Sequence, residues 1–463
     1  MTVRPPGARE PTAWSVMPGI EWPARPGAAG QAMLAAQFHL DMSQWWQPAD
    51  LLDHQMPQLR LLVRHAAATV PHYREHLAHA GLAAAESLTP ESFLRWPILR
   101  KKQIQQSGDQ FLSTALPPEH GELRWITTSG STGQPLRAAG TDVSVFFQHA
   151  LVLRSQFWYG LDHNTKFATI RGSVPDFPLP DWGPPANAVF RTGPLVFLSV
   201  FEDHDKQLEW LCREEPACLL AHNTNLRALL QRSHASGVVP KRLRNVLGFG
   251  DMASAELRGM ASEVWNAAYF DTYSCSEIGT LALQCPQHEH LHVQAERVYL
   301  EVLREDGTPC DPGETGRVLV TDLHNFAMPL IRYELGDYAQ LGPPCPCGRG
   351  LPVLSHIAGR SGHIGTDPSG RRFFPHLNFG FWATLAPILQ RQIVQHTPAE
   401  IEVRYVADRE LSADEKSNLT HELQTAMRYP YDIRYTRLPE IRRGPGGKFD
   451  DFLSLIESPA GKN

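Results

Sequence analysis

A chain of 463 residues exceeds what a single hydrophobic core usually supports, so two or more domains are expected, and 42% hydrophobic residues suffice to pack them. The formal charge of −6, from 43 basic and 49 acidic residues, supplies no broad cationic field, which argues against nucleic acid as a partner. No apolar stretch approaches ~18 residues and the N-terminus lacks an apolar signal core, so neither a membrane span nor a secretory leader is read and a cytoplasmic location is expected.

Residues 1–30 contain RPPGAREP and ARPGAAG, rich in Pro, Gly and Ala, and read as a flexible lead extending to about residue 35. From Leu59 onward apolar residues recur at helical spacing (Leu59, Leu62, Val63, Ala66, Ala67), and Pro71 restarts a helix, so a helical cap is predicted. Residues 127–135, TTSGSTGQP, follow. Glycines Gly130 and Gly133 turn successive amides toward one point, and the hydroxyls of Thr127, Thr128, Ser129, Ser131 and Thr132 add donors, a composition suited to a polyphosphate. No lysine follows the glycines as in the common GxxxxGK[ST] loop, and such a cluster taken alone is more often an exposed turn.

Between 140 and 270, short apolar runs (KFATIRG, PLVFLSV, ACLLAHN, RNVLGFGD) alternate with amphipathic helices, which predicts an α/β arrangement with largely parallel sheets. From about 291 to 340 closely spaced strands joined by turns predict a more antiparallel, barrel-like subdomain. The last hundred residues read as a small α+β unit with strands at QRQIVQ, AEIEVRYV and YDIRYTRL. Its helix runs through SADEKSNLTHELQTAMR, with Ser412 and Glu415 spaced as a capping box. The fold class is therefore α/β, with a large domain over 36–360 and a small one over 361–463.

Seven cysteines without a leader argue against a disulfide scaffold and for free thiols, metal ligands or both. Cys285, His292, Cys345 and Cys347 form a C-x6-H … C-x-C set of the N/S type that zinc favours, although His288 and His290 also lie near Cys285.

TTSGSTGQP, DTYSCSEIG (271–279), IRYELGD (331–337), CPCGRG (345–350) and AGR (358–360), in that order, resemble the adenylate-forming superfamily and most closely its phenylacetate–CoA ligase-like branch, from about residue 50 to the C-terminus. The resemblance implies ATP-dependent activation of a carboxylic acid, small and aromatic or related, to an acyl-adenylate. It also implies transfer of the acyl group to a thiol, most readily coenzyme A. An amine or a carrier-protein thiol is the alternative acceptor, and a nucleotide-binding protein without catalysis is a more distant rival. Homodimerisation stays open.

The resemblance also assigns roles. The loop around Ser129, Gly130, Thr132 and Gly133 would wrap the β- and γ-phosphates, with Arg137 substituting for a lysine that relatives often carry where this chain has Gln134, Pro135 and Leu136. Glu277 would hold Mg2+, Ser276 would contact the α-phosphate and Tyr273 would line the adenine side. Gly250 and Asp251, in GFGD, would contact adenine and the acyl pocket. Asp337 would accept from both ribose hydroxyls, Arg332 is read as structural, and Arg360 would touch ribose or phosphate. Gly362 and His363 stand where many relatives have a hinge aspartate pair. Lys448, in RRGPGGKFDDF, would bridge the attacking carboxylate and the α-phosphate. Branch members with the same Cys/His and CxCGR elements bind a structural zinc, and Cys275 is read as packing rather than as a nucleophile.

Overall fold

The computed structural model describes residues 13–80, 87–127, 136–172, 174–175, 177–251, 253, 255–360, 364–373, 375, 382, 385–443 and 450–456. The chain divides into two compact units: one contains the residues up to Leu335 and Ala339–Ile357, and the other contains Gly336–Tyr338 and the chain from Ala358.

In chain order the strands up to Arg360, of which Gly336–Tyr338 and Ala358–Arg360 group with the second unit, are β1 (Leu99–Arg100), β2 (Leu123–Thr127), β3 (Arg137–Thr141), β4 (Phe167–Arg171), β5 (Leu195–Ser199), β6 (Cys218–His222), β7 (Asn245–Phe249), β8 (Ala268–Cys275), β9 (Gly279–Gln284), β10 (Leu291–Val293), β11 (Val298–Leu303), β12 (Thr315–Asp322), β13 (Tyr333–Leu341) and β14 (Val353–Arg360). Twelve of them form one sheet in the order β11-β12-β13-β14-β10-β9-β8-β7-β6-β4-β5, with β1 beside β13. The β5-β4-β6-β7-β8 half is parallel. Parallel strands need crossovers, and helices His204–Glu214, Asn223–Ser236 and Ala255–Trp265 provide them. Asp203 caps the first of these by accepting from Lys206 N–H at 2.8 Å. Ala168, Ile170, Leu219, Ala221 and Val246 pack against Leu226, Leu229, Leu230 and Trp265, so the apolar runs of the sequence become strands covered by apolar helix faces.

The antiparallel region continues the same sheet, β8 to β9, β9 to β10 and β10 to β14, with β11 paired to β12. Among the described residues no closed barrel forms. β2 and β3 pair antiparallel as a separate two-stranded sheet whose last pair, Thr127 and Arg137, flanks residues 128–136 in the sequence.

The expected lead differs in its described part. Residues 1–12 lie outside the described residues, but Ala13 bridges Phe190 and Ala28–Ser43 is a helix. Its buried face is Gly30, Met33, Gln37, Leu40 and Ser43, at spacings of three and four, and Gln37 donates to Ala150 O at 2.7 Å. A Cβ on Gly30 would stand 2.2 Å from Ala188 O, so only glycine permits that approach.

The second unit holds β15 (Gly365–Thr366), β16 (Arg372–Phe373), β17 (Gln390–Gln395), β18 (Glu400–Val406), β19 (Asp432–Arg437) and β20 (Phe452–Ser454). Four of them form a sheet in the order β19-β18-β17-β20. Helix Ala413–Met427 packs Leu419, Leu423 and Met427 on Ile393, Ile401, Val403 and Tyr405. Ser412 Oγ accepts from Glu415 N–H, and Glu415 accepts from Ser412 N–H at 2.7 Å, which is the predicted capping box.

Candidate active site

Open α/β sheets present ligand sites at the carboxyl ends of their parallel strands. Here the pairing register brings Ser199, Arg171, His222, Phe249 and Thr272 to that edge. Beyond β7, Gly250 turns the chain at φ 84° and Asp251 follows. Asp251 Oδ2 accepts from Thr224 Oγ1 at 2.7 Å and lies 3.8 Å from His222 Nδ1. Asn223, just past β6, ties the residue after β7 to β8: its Nδ2 donates to Asp251 O (2.8 Å) and Asp271 Oδ1 (2.9 Å), and its Oδ1 accepts from the Tyr269 hydroxyl (2.8 Å). Gly248 leaves the room, since a Cβ there would meet Asn223 Oδ1 at 1.9 Å. Burial pushes Asp271 up to about 6, against the hydrogen bonds from Asn223, Thr272 N–H and Tyr269.

The turn between β8 and β9 carries Ser276, exposed, and Glu277, mostly buried. Tyr333 donates its hydroxyl to Glu277 Oε1 at 3.2 Å, joining DTYSCSEIG to IRYELGD, and Lys101 Nζ lies 3.9 Å from the same oxygen. The turn is anchored from below. Buried Arg297 donates to Ile278 O and Gln148 Oε1 and pairs with Asp322 at 3.3 Å, while Gln148 Oε1 accepts from Thr280 N–H at 2.9 Å. Tyr273 is buried beside this turn in the core with Ile278, and Cys275 packs against that core.

Asp337 follows Gly336, at φ 78°, and pairs with Arg360 Nε at 3.4 Å, both in the second unit. Arg332 is bound inward. Its guanidinium pairs with Glu301 at 2.9 Å and donates to the Leu94 and Trp96 carbonyls, which holds the residue at φ 48°. Arg137 lies over the Trp125 ring at 3.7 Å. Thr128, Ser129, Gly130, Ser131, Thr132 and Gly133, the hinge pair Gly362 and His363, and Lys448 lie outside the described residues.

Cys285, His292, Cys345 and Cys347 converge, their ligand atoms all within 4.8 Å of one another. Cys285 Sγ and Cys345 Sγ are 3.9 Å apart, and Cys347 Sγ lies 3.5 Å from His292 Nε2. His292 Nδ1 faces Leu351 O at 3.4 Å, leaving Nε2 toward the thiols. His290 Nε2 stands 2.9 Å from Cys345 Sγ, outside the four-atom set. Burial lowers His292 to about 3, which keeps the ring neutral, and pushes Cys345 up to about 12. Burial also opposes the Cys347 thiolate, but the Arg349 N–H, Cys345 and the Arg349 guanidinium outweigh it and lower that thiol.

Sequence reasoning missed Asn223, Asp271, Arg297, Gln148 and Lys101. Asp271 and Tyr333 sit inside quoted motifs, so their position was a usable signal. Gln148, Arg297 and Asp322 come from a helix, a loop and a strand end, and only the fold unites them.

No family model matches the chain. In sequence it is 24% identical over 318 residues to a phenylacetate–coenzyme A ligase of Pseudomonas putida, covering 67% of this chain and 71% of that one. It is 26% identical over 329 residues to the protein of that name from Thermus thermophilus, covering 66% and 69%. In three dimensions it is similar to 2-hydroxyisobutyryl-CoA ligase in the postadenylation state in complex with R3-HIB-AMP, with TM-score 0.72 and 16% identity over 89% of this chain and 91% of that one.

Proposed function

We propose that the chain belongs to the adenylate-forming superfamily, of the phenylacetate–CoA ligase-like kind, and that it is an AMP-forming acid–CoA ligase acting on a small, aromatic or related carboxylic acid, a reading supported by the similar ligases in sequence and fold. One observation carries the reading at residue level: Glu277 and Tyr333, 56 positions apart and from two motifs, meet at the turn just past the carboxyl end of the parallel sheet.

Adenylation brings a carboxylate up to a polyphosphate, so the site must neutralise charge and hold the reactants in line. Glu277 is the carboxylate that would hold Mg2+, whose chemistry there is to neutralise phosphate oxygens; one protein carboxylate suffices for a cation that keeps phosphate and water ligands. Tyr333 orients that carboxylate by its hydrogen bond. Ser276, exposed on the same turn, would donate to a phosphate oxygen. Asp337, as acceptor, takes the ribose hydroxyls, with Arg360 beside it. By resemblance, residues 128–135 would contact the β- and γ-phosphates and Lys448 would bridge the attacking carboxylate and the α-phosphate.

The Cys/His cluster fits structural zinc. Its donors are three sulfurs and one imidazole, and the 3.9 Å between Cys285 and Cys345 sulfurs matches the about 3.8 Å that tetrahedral bonds of ~2.3 Å require. Four protein ligands leave no open position, so the role is structural. Among the described residues no helix is long and apolar enough to cross a membrane.

Pyrophosphate exchange over a panel of carboxylic acids tests the first half-reaction, with exchange expected for a small aromatic acid. AMP release that depends on coenzyme A supports the second. Release that instead requires an amine or a carrier protein reassigns the acceptor, and absence of exchange with every acid overturns the reading.

A further inference from the structure

A Cys3His set holding a divalent cation carries a net charge of −1, and a buried charge requires a partner. Arg349, itself 4% exposed, is a cation in contact with this cluster: its Nη1 donates to Cys347 Sγ at 3.5 Å. The same guanidinium donates through Nε to Gln44 Oε1 at 2.8 Å and lies over the rings of Trp45 (4.7 Å) and Trp158 (4.6 Å). Trp158 also meets the edge of His292 at 5.9 Å. The neighbouring backbone repeats the link, because Gly350 N–H donates to Gln44 O at 2.9 Å and a Cβ on Gly350 would stand 1.7 Å from Trp46 O. Gln44 is 1% exposed and sits at the C-terminus of helix Ala28–Ser43. One arginine thus touches a candidate metal ligand and the end of a helix some 300 positions earlier in the chain.

We propose that Arg349 is the counter-charge of the metal-loaded Cys285–His292–Cys345–Cys347 cluster, and that through Gln44 and Trp45 it makes metal occupancy and docking of the Ala28–Ser43 helix end a single event. The proposal rests on the zinc reading above. It assigns the arginine a positioning role, since it touches a ligand and never the metal. Partners of this kind characteristically alter metal affinity by roughly 10–100-fold. Arginine suits the place because its planar group stacks on indole faces while its edge donates, which a lysine cannot do equally well.

The test uses the full chain loaded with one equivalent of zinc. Zinc affinity is measured by competition with a chromophoric chelator, and amide hydrogen exchange is followed in peptides covering residues 40–50, with the β7 peptide as internal control. Chelation of the wild type is expected to accelerate exchange at 40–50 by at least tenfold and leave β7 unchanged. Arg349→Met is expected to weaken zinc binding by roughly 10–100-fold, with Arg349→Lys between it and wild type, and exchange at 40–50 in Arg349→Met is expected to stay fast even when excess zinc fills the site, because the link through Gln44 and Trp45 is gone. Trp45→Leu removes one stacking face at a part-exposed position and should shift both readouts in the same direction, which covers the case in which Arg349→Met does not fold. Wild type that binds no zinc overturns the metal reading and the proposal together. Wild type that binds zinc while Arg349→Met or Trp45→Leu binds it equally, or unchanged exchange at 40–50 on chelation, overturns the proposal alone.

Discussion

Tyr333 and Asp271 show how a single side chain's surroundings decide its consequence. The Tyr333 hydroxyl bonds a carboxylate, and a hydrogen bond to a charged group contributes about 1.5–3 kcal/mol, so Tyr333→Phe should slow pyrophosphate exchange about tenfold or more and raise the magnesium requirement while the fold is kept. Exchange within twofold of wild type across a magnesium titration would remove Tyr333 from the site. For Asp271 the sign runs the other way from most carboxylates. Its pKa is raised from 3.8 to about 6, so the stability its protonated form contributes is fully present below about pH 4 and lost as pH rises through about 6. Asp271→Asn should therefore flatten the stability profile between pH 4 and 6 and stabilise the protein at pH 7. The side chain keeps some solvent access, so the gain is roughly 1–2 kcal/mol rather than the about 3 that two pKa units would give unscreened. Denaturant melts of both proteins at pH 4 and 7 measure it; equal pH dependence in the two would discard the burial argument. Neither prediction came from composition. Glu277 and Asp337 were legible because they lie inside the motifs that carry the resemblance, whereas Asn223 and Arg297 act by reach across strands, which a linear pattern does not encode.

Elements were legible where period and boundary signals coincide. The runs at 167–171, 195–199, 218–222 and 245–249 are short, apolar and bounded by turns, and each is a parallel strand. The Ala413–Met427 helix was legible from its cap, and the cap offers its own test. Ser412→Ala removes the acceptor for Glu415 N–H and should cost about 1 kcal/mol, seen as a lower midpoint for the second unit's unfolding. A Ser412→Ala midpoint equal to wild type would mean that Arg409, which pairs with Glu415 at 2.7 Å, holds the helix start unaided. Helix Ala28–Ser43 was illegible for an equally physical reason: its buried stripe includes Gly30, Gln37 and Ser43, and its exposed side carries Leu34, Phe38 and Met42. Pattern reasoning assigns polar residues outward and large apolar ones inward, and this helix does the reverse at several positions because Gln37 finds a carbonyl and Gly30 allows a close approach. The Cys/His set was legible as four donors, but not as a choice among His288, His290 and His292: the three stand two residues apart, so strand alternation does not separate them, and His290 also comes within 2.9 Å of Cys345 Sγ.

At the scale of the whole molecule the proposed site residues are distributed over two units. The parallel sheet ends, Glu277 and Tyr333 belong to the first unit, while Asp337 and Arg360 group with the second. Lys448 is assigned by resemblance to act between the attacking carboxylate and the α-phosphate. An ammonium there gains most when the pentavalent charge develops, and a group favoured in the transition state over the ground state changes kcat more than substrate binding. Lys448→Ala should therefore lower the rate of pyrophosphate exchange by about 10²–10³-fold, the range seen when one charge-stabilising donor is removed, with ATP affinity by calorimetry within a few-fold of wild type. The same variant supplied with preformed acyl-adenylate and coenzyme A should still release AMP, because that step no longer needs the carboxylate and phosphate bridged. Loss of both half-reactions together would point instead to a folding defect or a general binding role, and unchanged exchange would take Lys448 out of the mechanism. Asp337→Ala separates the other contribution. It should raise the ATP requirement first, since two ribose hydrogen bonds to a charged acceptor are worth about 3–6 kcal/mol together. A variant in which kcat falls with ATP affinity intact would reverse the two assignments.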